Sequence, residues 1–144
     1  MKDIKRFILA QEEENDYTYA LNEIKNGHKE THWIWFIFPQ LETLCQSEIS
    51  VYYGIEDIKE ARAFLNDPIL GRRLRKITSE LLKHKNKDIK EIFRYPDDLK
   101  VQSCMTLFDY ISPDDIFADV LNIFYHSSRC LATIAAIRKL KTNN

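Results

Sequence analysis

The chain has 144 residues, a length typical of one domain, and its formal net charge of -1 indicates no general attraction to nucleic acids or membrane surfaces. Hydrophobic residues make up 44% and charged residues 30%, which excludes an intrinsically disordered chain. Only 3 glycines and 4 prolines are present, too few turn residues for a β-sandwich or β-barrel. We therefore expect an all-α fold, a compact single domain over residues 1–144 with about seven to nine helices.

Helical periods follow one another along most of the chain. They predict helices in RFILAQ (6–11), DYTYALNEIKNG (16–27), EDIKEARAFL (56–65), DPILGRRLRKITSELLKH (67–84), LKVQSCMTLFDY (99–110), SPDDIFADVLNIFY (112–125) and RCLATIAAIRKL (129–140). Gly27 is expected to end the second of these helices. Asp67 and Ser112 are expected to cap the helices that follow them, and Asp97 or Asp98 to cap the 99–110 helix.

The stretch THWIWFIFPQL (31–41) places two tryptophans and two phenylalanines within six residues. Six apolar residues in a row also suit a buried strand, but SVYYG is the one weak candidate for a partner strand. We therefore predict a helix over 30–38 that is apolar on all sides, lies at the centre of the fold and is ended by Pro39. Because a buried indole N–H needs a partner, Trp33 or Trp35 should border polar groups or a cavity.

Two histidines suggest a metal ion and a basic run suggests nucleic acid, but the surrounding residues disfavour both ligands. His28 and His32 are four residues apart in HKETH, yet Lys29 stands where a zinc protease has its glutamate, so no metal site is expected. The basic residues between 72 and 87 are diluted by acids and suit the solvated face of a helix, which disfavours nucleic-acid binding. Phosphate-binding glycine loops are missing from the sequence, and no cofactor is predicted.

The segment YPDDLKVQSCMTLFDY contains more polar groups than a capped helix needs. Asp97 and Asp98 stand at the helix entrance, while Lys100, Ser103 and Thr106 are interleaved with apolar residues. A buried polar group without a partner costs about 1–3 kcal/mol. If this polar side faces inward, the residues flanking the aromatic run or a bound ligand must supply the partners.

The cysteines, the first fifteen residues and the length of the apolar runs indicate where the protein resides. Cys45, Cys104 and Cys130 are an odd number and widely spaced, which disfavours a disulfide framework and predicts a reducing, cytoplasmic environment. The first fifteen residues lack the features of a signal peptide. The longest apolar run, WIWFIF, is far shorter than the roughly 20 residues of a membrane helix.

Three strings resemble the successive signatures of an uncharacterised family of small bacterial and fungal proteins, sometimes labelled calpastatin. They are HWIWFIFPQL, EARAFLNDPILGRRL and IFRYPDDLKVQSCMTLF, and the resemblance runs from about Phe7 to Ile134. It implies a compact, mostly helical domain without a settled activity, with hallmark residues that include Gln11, Glu60 and Arg73. The chain departs from the pattern at Thr43-Leu44-Cys45, where a Gly-Leu-Gly turn is usual, and at Ser127 and Cys130, where the family tends to have Gly and Asp.

From these observations we predict a cleft between the 32–40 and 97–108 segments, with Arg73 and Glu60 supporting its walls. We expect this cleft to bind an anionic or sugar-bearing small molecule. Asp97 and Asp98 are the candidate catalytic residues, and the candidate ligand-binding residues are His32, Trp33, Trp35, Gln40, Arg73, Lys100, Ser103 and Thr106. Binding alone and hydrolysis of a glycosidic or phosphoester bond are both compatible with this set. The alternatives are a protein-interaction module without catalytic activity, and a domain whose distinctive strings serve packing alone.

Overall fold

The structure is a computed structural model that describes residues 2–142, so Met1 and residues 143–144 of the predicted domain lie outside the described residues. The described chain forms ten α-helices: α1 (Lys5–Glu12), α2 (Asp16–Lys25), α3 (Ile34–Ile37), α4 (Glu48–Tyr52), α5 (Ile58–Asn66), α6 (Leu70–Leu82), α7 (Ile89–Ile92), α8 (Asp97–Ile111), α9 (Ile116–Phe124) and α10 (Leu131–Thr142). Seven of them contain eight or more residues. The predicted all-α, compact single domain is confirmed.

Helix α8 lies at the centre of the domain and packs against α5, α9 and α10. Its apolar side chains are buried on several faces, and those that are fully inaccessible to solvent are Val101, Cys104, Met105, Leu107 and Phe108. A second set of contacts joins α6 to α2, α5 and α9. Burying each large apolar side chain stabilises the fold by about 1.5–3 kcal/mol, so this shared core is the main reason that short helices form one unit.

Three helix starts test the predicted side-chain caps, of which one is confirmed and two are corrected. Asp67 accepts hydrogen bonds from the backbone N–H groups of Ile69 and Leu70, each 2.9 Å long, as its position predicts. The prediction that Ser112 caps the next-to-last helix is wrong. Asp115 is the cap of α9, because its carboxylate accepts a hydrogen bond from the adjacent Ile116 N–H. The same carboxylate also accepts a hydrogen bond from the Ser112 hydroxyl at 2.6 Å.

The start of α8 also differs from the prediction. Pro96 occupies the cap position, and Asp97 and Asp98 are the first two helical residues. Both carboxylates therefore stand in the first turn, where the positive end of the helix dipole favours negative charge.

The aromatic stretch is helical over a shorter span than predicted. The expected helix over 30–38 is wrong in extent, since α3 covers Ile34–Ile37 and Trp33 before it has non-helical backbone angles. The preceding loop is held by partners from distant parts of the chain, including the carbonyl of Ile92, which accepts from the Lys29 N–H at 2.8 Å. The weak strand candidate SVYYG contributes most of its residues to α4 instead.

Two turns preserve backbone conformations that glycine favours. Gly27 follows the end of α2 with a φ of 79°, which confirms its predicted role as a helix terminator. Ser127, where the family resemblance implies glycine nearby, has a φ of 65° in the turn before α10. This turn therefore keeps a left-handed residue without glycine, at the modest cost that such a conformation has for serine.

Candidate functional site

An open cleft of about 580 Å³ lies between the loop that precedes α3 and the start of α8. Four of the predicted site residues line it: His32 and Trp35 from the first segment, and Asp97 and Lys100 from the second. The two distant strings thus meet in space. The cleft is within the size range of small-molecule sites, which is about 300–1,000 Å³.

Asp97 is held between two lysines inside the cleft. Its carboxylate is 2.9 Å from Lys29 Nζ and 3.5 Å from Lys100 Nζ. Each ammonium group also lies over an indole ring, Lys29 at 5.1 Å from the centre of Trp33 and Lys100 at 5.9 Å from that of Trp35. These cation–π contacts fix where the two positive charges stand. The result is a carboxylate flanked by cations on an aromatic wall.

The lining of the cleft includes a further cation and a further ring. Arg94 is exposed and makes no ion pair with the described residues, while the Tyr95 side chain is 75% exposed. Glu30 adds one carboxylate to the lining. The cleft lining therefore contains three cations and two carboxylates, and Arg94 is the cation that no ion pair with the described residues neutralises.

A single carboxylate, that of Glu23 in α2, positions the loop that forms one wall. Its Oε1 accepts from the N–H groups of Glu30 at 2.7 Å and Thr31 at 2.9 Å and from the Trp33 indole N–H at 2.9 Å. Its Oε2 accepts from the Thr31 hydroxyl at 2.5 Å. Burial raises the pKa of Glu23, but these hydrogen bonds outweigh it and hold the pKa below its usual value.

The two tryptophans face different environments. Trp33 is buried and packs against Phe38 and Phe93, and its indole N–H donates a hydrogen bond to Glu23. It therefore supports the wall of the cleft without lining it. Trp35 is half-buried and lines the cleft. The prediction that at least one indole borders polar groups or a cavity is confirmed.

Gln40 lies next to the cleft rather than in it. It lines a narrow depression that shares Trp35 and Lys100 with the cleft and also includes Cys45 and Ser50. Burial is the main cause that raises the pKa of the Cys45 thiol, even though a hydrogen bond with Ser50 acts in the opposite direction. Cys45 is therefore a weak nucleophile at neutral pH.

Asp98 is buried and does not line the cleft. Its Oδ1 is buried without a hydrogen-bond partner among the described residues, and its backbone carbonyl accepts from the Tyr125 hydroxyl at 2.6 Å. Burial raises the pKa of Tyr125, and the neighbouring Asp98 raises it further, so this phenol stays protonated and continues to donate. Of the two candidate catalytic aspartates, the structure places Asp97 alone at the cleft.

Three other predicted site residues lie elsewhere. The Ser103 hydroxyl is 2.7 Å from that of Thr133 in α10, and Thr106 donates to the Gln102 carbonyl and accepts from the Cys130 N–H. The polar side of α8 is therefore satisfied by α10 and the turn before it. Arg73 stands beside α1.

Arg73 and Glu60 belong to the frame that holds the aromatic stretch. Arg73 donates to the side chain of Gln11 at 3.2 Å, and Gln11 donates to the Phe36 carbonyl at 2.8 Å. Glu60 forms a buried two-pronged ion pair with Arg6, with distances of 2.9 and 3.0 Å. These residues fix α1 against α3 and α5, so they support the cleft wall without reaching the cleft.

Lys29, Arg94 and Tyr95 line the cleft but are not among the site residues predicted from the sequence. Two of them directly precede the Pro-Asp-Asp string, so their nearness to Asp97 was available from the sequence. In the sequence, Lys29 stands out as a departure from the zinc-protease motif and carries no signal for a cleft. Within residues 2–142, the structure contains no group of three or more histidines, cysteines or acids able to hold a metal ion. In the same range, none of the helices has the length and apolar character needed to span a membrane.

Comparisons with known proteins place the chain in a family. The family described as protein of unknown function (DUF1810) matches residues 1–137. The chain is 38% identical to the conserved hypothetical protein Rv1873 from Mycobacterium tuberculosis, whose crystal structure matches with a TM-score of 0.91 over 94% of this chain and 96% of that chain. No curated protein matches the chain. The resemblance drawn from the sequence strings is confirmed, and the chain belongs to the DUF1810 family.

Proposed function

We propose that this protein binds a small anionic molecule with a sugar or aromatic ring in the cleft between the 32–40 and 97–108 segments. The observation that carries the proposal is that Trp35 from one string and Asp97 and Lys100 from the other line one cleft, beside the unpaired Arg94. An exposed arginine that lines the same cleft as a partly accessible tryptophan offers a positive charge and an aromatic face to one ligand.

The chemistry of the lining suggests how the ligand is held. Arg94 and Lys100 supply donors for a phosphate or carboxylate, and an arginine can bind such groups in a two-pronged manner. The rings of Trp35 and Tyr95 supply apolar faces for a planar base or for the C–H face of a sugar. Asp97, which lies between Lys29 and Lys100, accepts hydrogen bonds from ligand hydroxyl groups.

Hydrolysis at this cleft is the finer form of the proposal. Asp97 is the carboxylate positioned to act as a general acid or base on a glycosidic or phosphoester bond. Asp98 contributes indirectly in this version, through the position of the first turn of α8. Binding is the better supported form, because most glycoside hydrolases need a pair of carboxylates on either side of the bond, and the second acid of the cleft, Glu30, is exposed.

The binding test compares ligands that differ by one feature. Isothermal titration with AMP, adenosine, ribose 5-phosphate and ribose should give saturable binding for the phosphorylated compounds and none for the neutral ones. Lys100→Met and Trp35→Leu should each weaken the binding of AMP or ribose 5-phosphate at least about fivefold, the effect of one partly exposed contact.

Lys5→Met serves as the matched control, since Lys5 is an exposed lysine on α1 that does not line the cleft. The proposal is wrong if none of the phosphorylated compounds binds, or if Lys5→Met weakens binding as much as Lys100→Met. Incubation of a bound ligand with wild type and with Asp97→Asn, followed by chromatography of the products, tests the hydrolytic form separately.

A protein-interaction module remains the alternative function. It requires a contiguous exposed apolar patch of several hundred Å². The exposed large apolar side chains belong to several different helices, with Leu9 on α1 and Leu131 on α10 among the most exposed. The proposed location is the cytoplasm, which agrees with the free state of Cys45, Cys104 and Cys130.

A further inference from the structure

A second concave surface lies between α8 and α10 and shares no lining residue with the cleft. Its volume is about 340 Å³. The apolar part of its lining comes from the Tyr110 ring of α8 and from Ile134 and Ile137 of α10. We call this surface the α8–α10 groove. It is large enough for a small organic molecule and is not needed for the proposed function at the cleft.

The charged residues around the groove are mainly basic. Arg129, Arg138 and Lys141 line it together with one carboxylate, that of Asp109. Asp109 is paired with Arg129, with an Nη2–Oδ2 distance of 3.3 Å. The charge of that pair is balanced within the protein, and Lys141, whose ammonium group lies near the Tyr110 ring, adds a positive charge from the α10 side.

An adjoining hollow extends this positive region. It has a volume of about 450 Å³ and shares Tyr110 and Lys141 with the α8–α10 groove. Its other lining residues include Lys59 and Arg62 of α5, neither of which forms an ion pair within the described part of the chain. Lys141 Nζ lies 5.6 Å from the centre of the Tyr110 ring, on the wall between the two hollows.

This concentration of charge is local, because the chain as a whole has 21 basic and 22 acidic residues. Five cations and one carboxylate line the two adjoining hollows. An apolar floor with a cationic rim recognises a molecule that has both an apolar body and an anionic group.

We propose that the α8–α10 groove is a binding site for an amphiphilic organic anion, meaning a carboxylate, sulfonate or phosphate on an aromatic or aliphatic body. The body packs on Ile134, Ile137 and the Tyr110 ring, and the anionic group contacts Lys141. A second anionic group on a longer ligand reaches Lys59 and Arg62. A nucleic-acid strand is a poorer fit, because the floor of the groove is apolar and enclosed on two sides by helices.

The test uses 1-naphthoate as the probe and 1-naphthamide as its neutral match. In ¹H–¹⁵N correlation spectra of the full chain, naphthoate should shift the amide signals of Tyr110, Ile137 and Lys141 in a saturable manner. Lys141→Gln should weaken naphthoate binding about fivefold, the effect of one partly exposed charge contact, and Lys141→Glu should abolish it. Lys85→Gln, at an exposed lysine after α6, should leave it unchanged.

Lys141 is exposed, so its replacement does not threaten folding. Three results would overturn the proposal: equal affinity for 1-naphthamide, which would indicate an apolar hollow without anion recognition; shifts confined to the cleft residues Trp35 and Lys100; or unchanged affinity of Lys141→Glu. Tighter binding of a short single-stranded oligonucleotide than of naphthoate, weakened by the same variants, would reassign the surface to nucleic acid and also overturn it.

Discussion

The replacement Glu23→Gln tests how the cleft wall is built. The Glu23 carboxylate accepts four hydrogen bonds, three at Oε1 and one at Oε2, from the loop that carries His32 and from Trp33. Glutamine has the same shape, but it loses the charge and turns one acceptor into a donor that faces the Thr31 hydroxyl. The variant therefore removes the electrostatic part of these contacts while it leaves the packing intact.

The expected magnitude follows from the number and kind of bonds. A hydrogen bond to a charged group contributes about 1.5–3 kcal/mol, against about 1 kcal/mol for a neutral pair. Three of the four bonds lie near the surface, where water competes for the donors. We therefore expect the free energy of unfolding to fall by about 1–2 kcal/mol, measured by urea denaturation with tryptophan fluorescence.

The pH dependence of this loss has a defined sign. The pKa of Glu23 in the folded protein lies below its ordinary value of 4.5, because hydrogen bonds from Thr31, Glu30 and Trp33 outweigh the effect of burial. A carboxyl group with a lowered folded pKa stabilises the fold above its unfolded pKa, and this contribution disappears as pH falls through the folded pKa. The stability difference between wild type and Glu23→Gln should be full near pH 7 and shrink below about pH 4.5.

Glu30→Gln is the matched control. Glu30 lies in the same loop, and it contacts Glu23 through its backbone N–H, which the substitution keeps. Exposed substitutions of this kind change stability by about 0.5 kcal/mol or less. The assigned role of the Glu23 carboxylate is wrong if Glu23→Gln lowers the free energy of unfolding no more than Glu30→Gln does, or if the stability difference between wild type and Glu23→Gln is the same at pH 7 and at pH 3.5.

Three further predictions concern the core. Glu60→Leu leaves the buried Arg6 guanidinium without its carboxylate and should lower the free energy of unfolding by about 3–5 kcal/mol, whereas the double variant Arg6→Met with Glu60→Leu should regain most of that loss in urea denaturation. Tyr125→Phe leaves the Asp98 carbonyl without its hydroxyl donor and should cost about 1–3 kcal/mol in the same assay, with the circular dichroism spectrum unchanged. Cys104 is fully buried, and burial raises the pKa of its thiol; mass spectrometry should therefore find Cys104 unmodified by iodoacetamide until denaturant unfolds the chain, and early labelling in buffer would contradict its placement.

The long amphipathic helices could be predicted from the sequence because their periods are local. Leu70, Leu74 and Ile77 recur on one face of α6, and all three are buried in the structure. The segment 30–38 could not be placed in the same way. A stretch that is apolar at every position has no period, and its helical limits depend on contacts with Glu23 and Ile92, which lie at other places in the chain.

The site could be predicted in part for a similar reason. Asp97 and Lys100 are three residues apart, so they share a face of α8 and both reach the cleft. Ser103 and Thr106 were expected to need a ligand, but α10 supplies the partners. The sequence shows that α8 carries polar groups on more than one side; it does not show which neighbouring helix covers each side.

The hypothesis that the distinctive strings serve packing alone accounts for some hallmark residues, whereas the proposed ligand gives a role to others. Gln11 and Glu60 have protein partners for their polar groups, so stability is a sufficient reason for their presence. Lys100 is different, since its ion pair with Asp97 is a partly exposed contact of the kind that contributes about 0–1 kcal/mol. So small a contribution does not require a lysine over an accessible indole at the wall of a cleft. The proposed anionic ligand would give this lysine a role beyond its ion pair with Asp97, and the Lys100→Met titration tests that role.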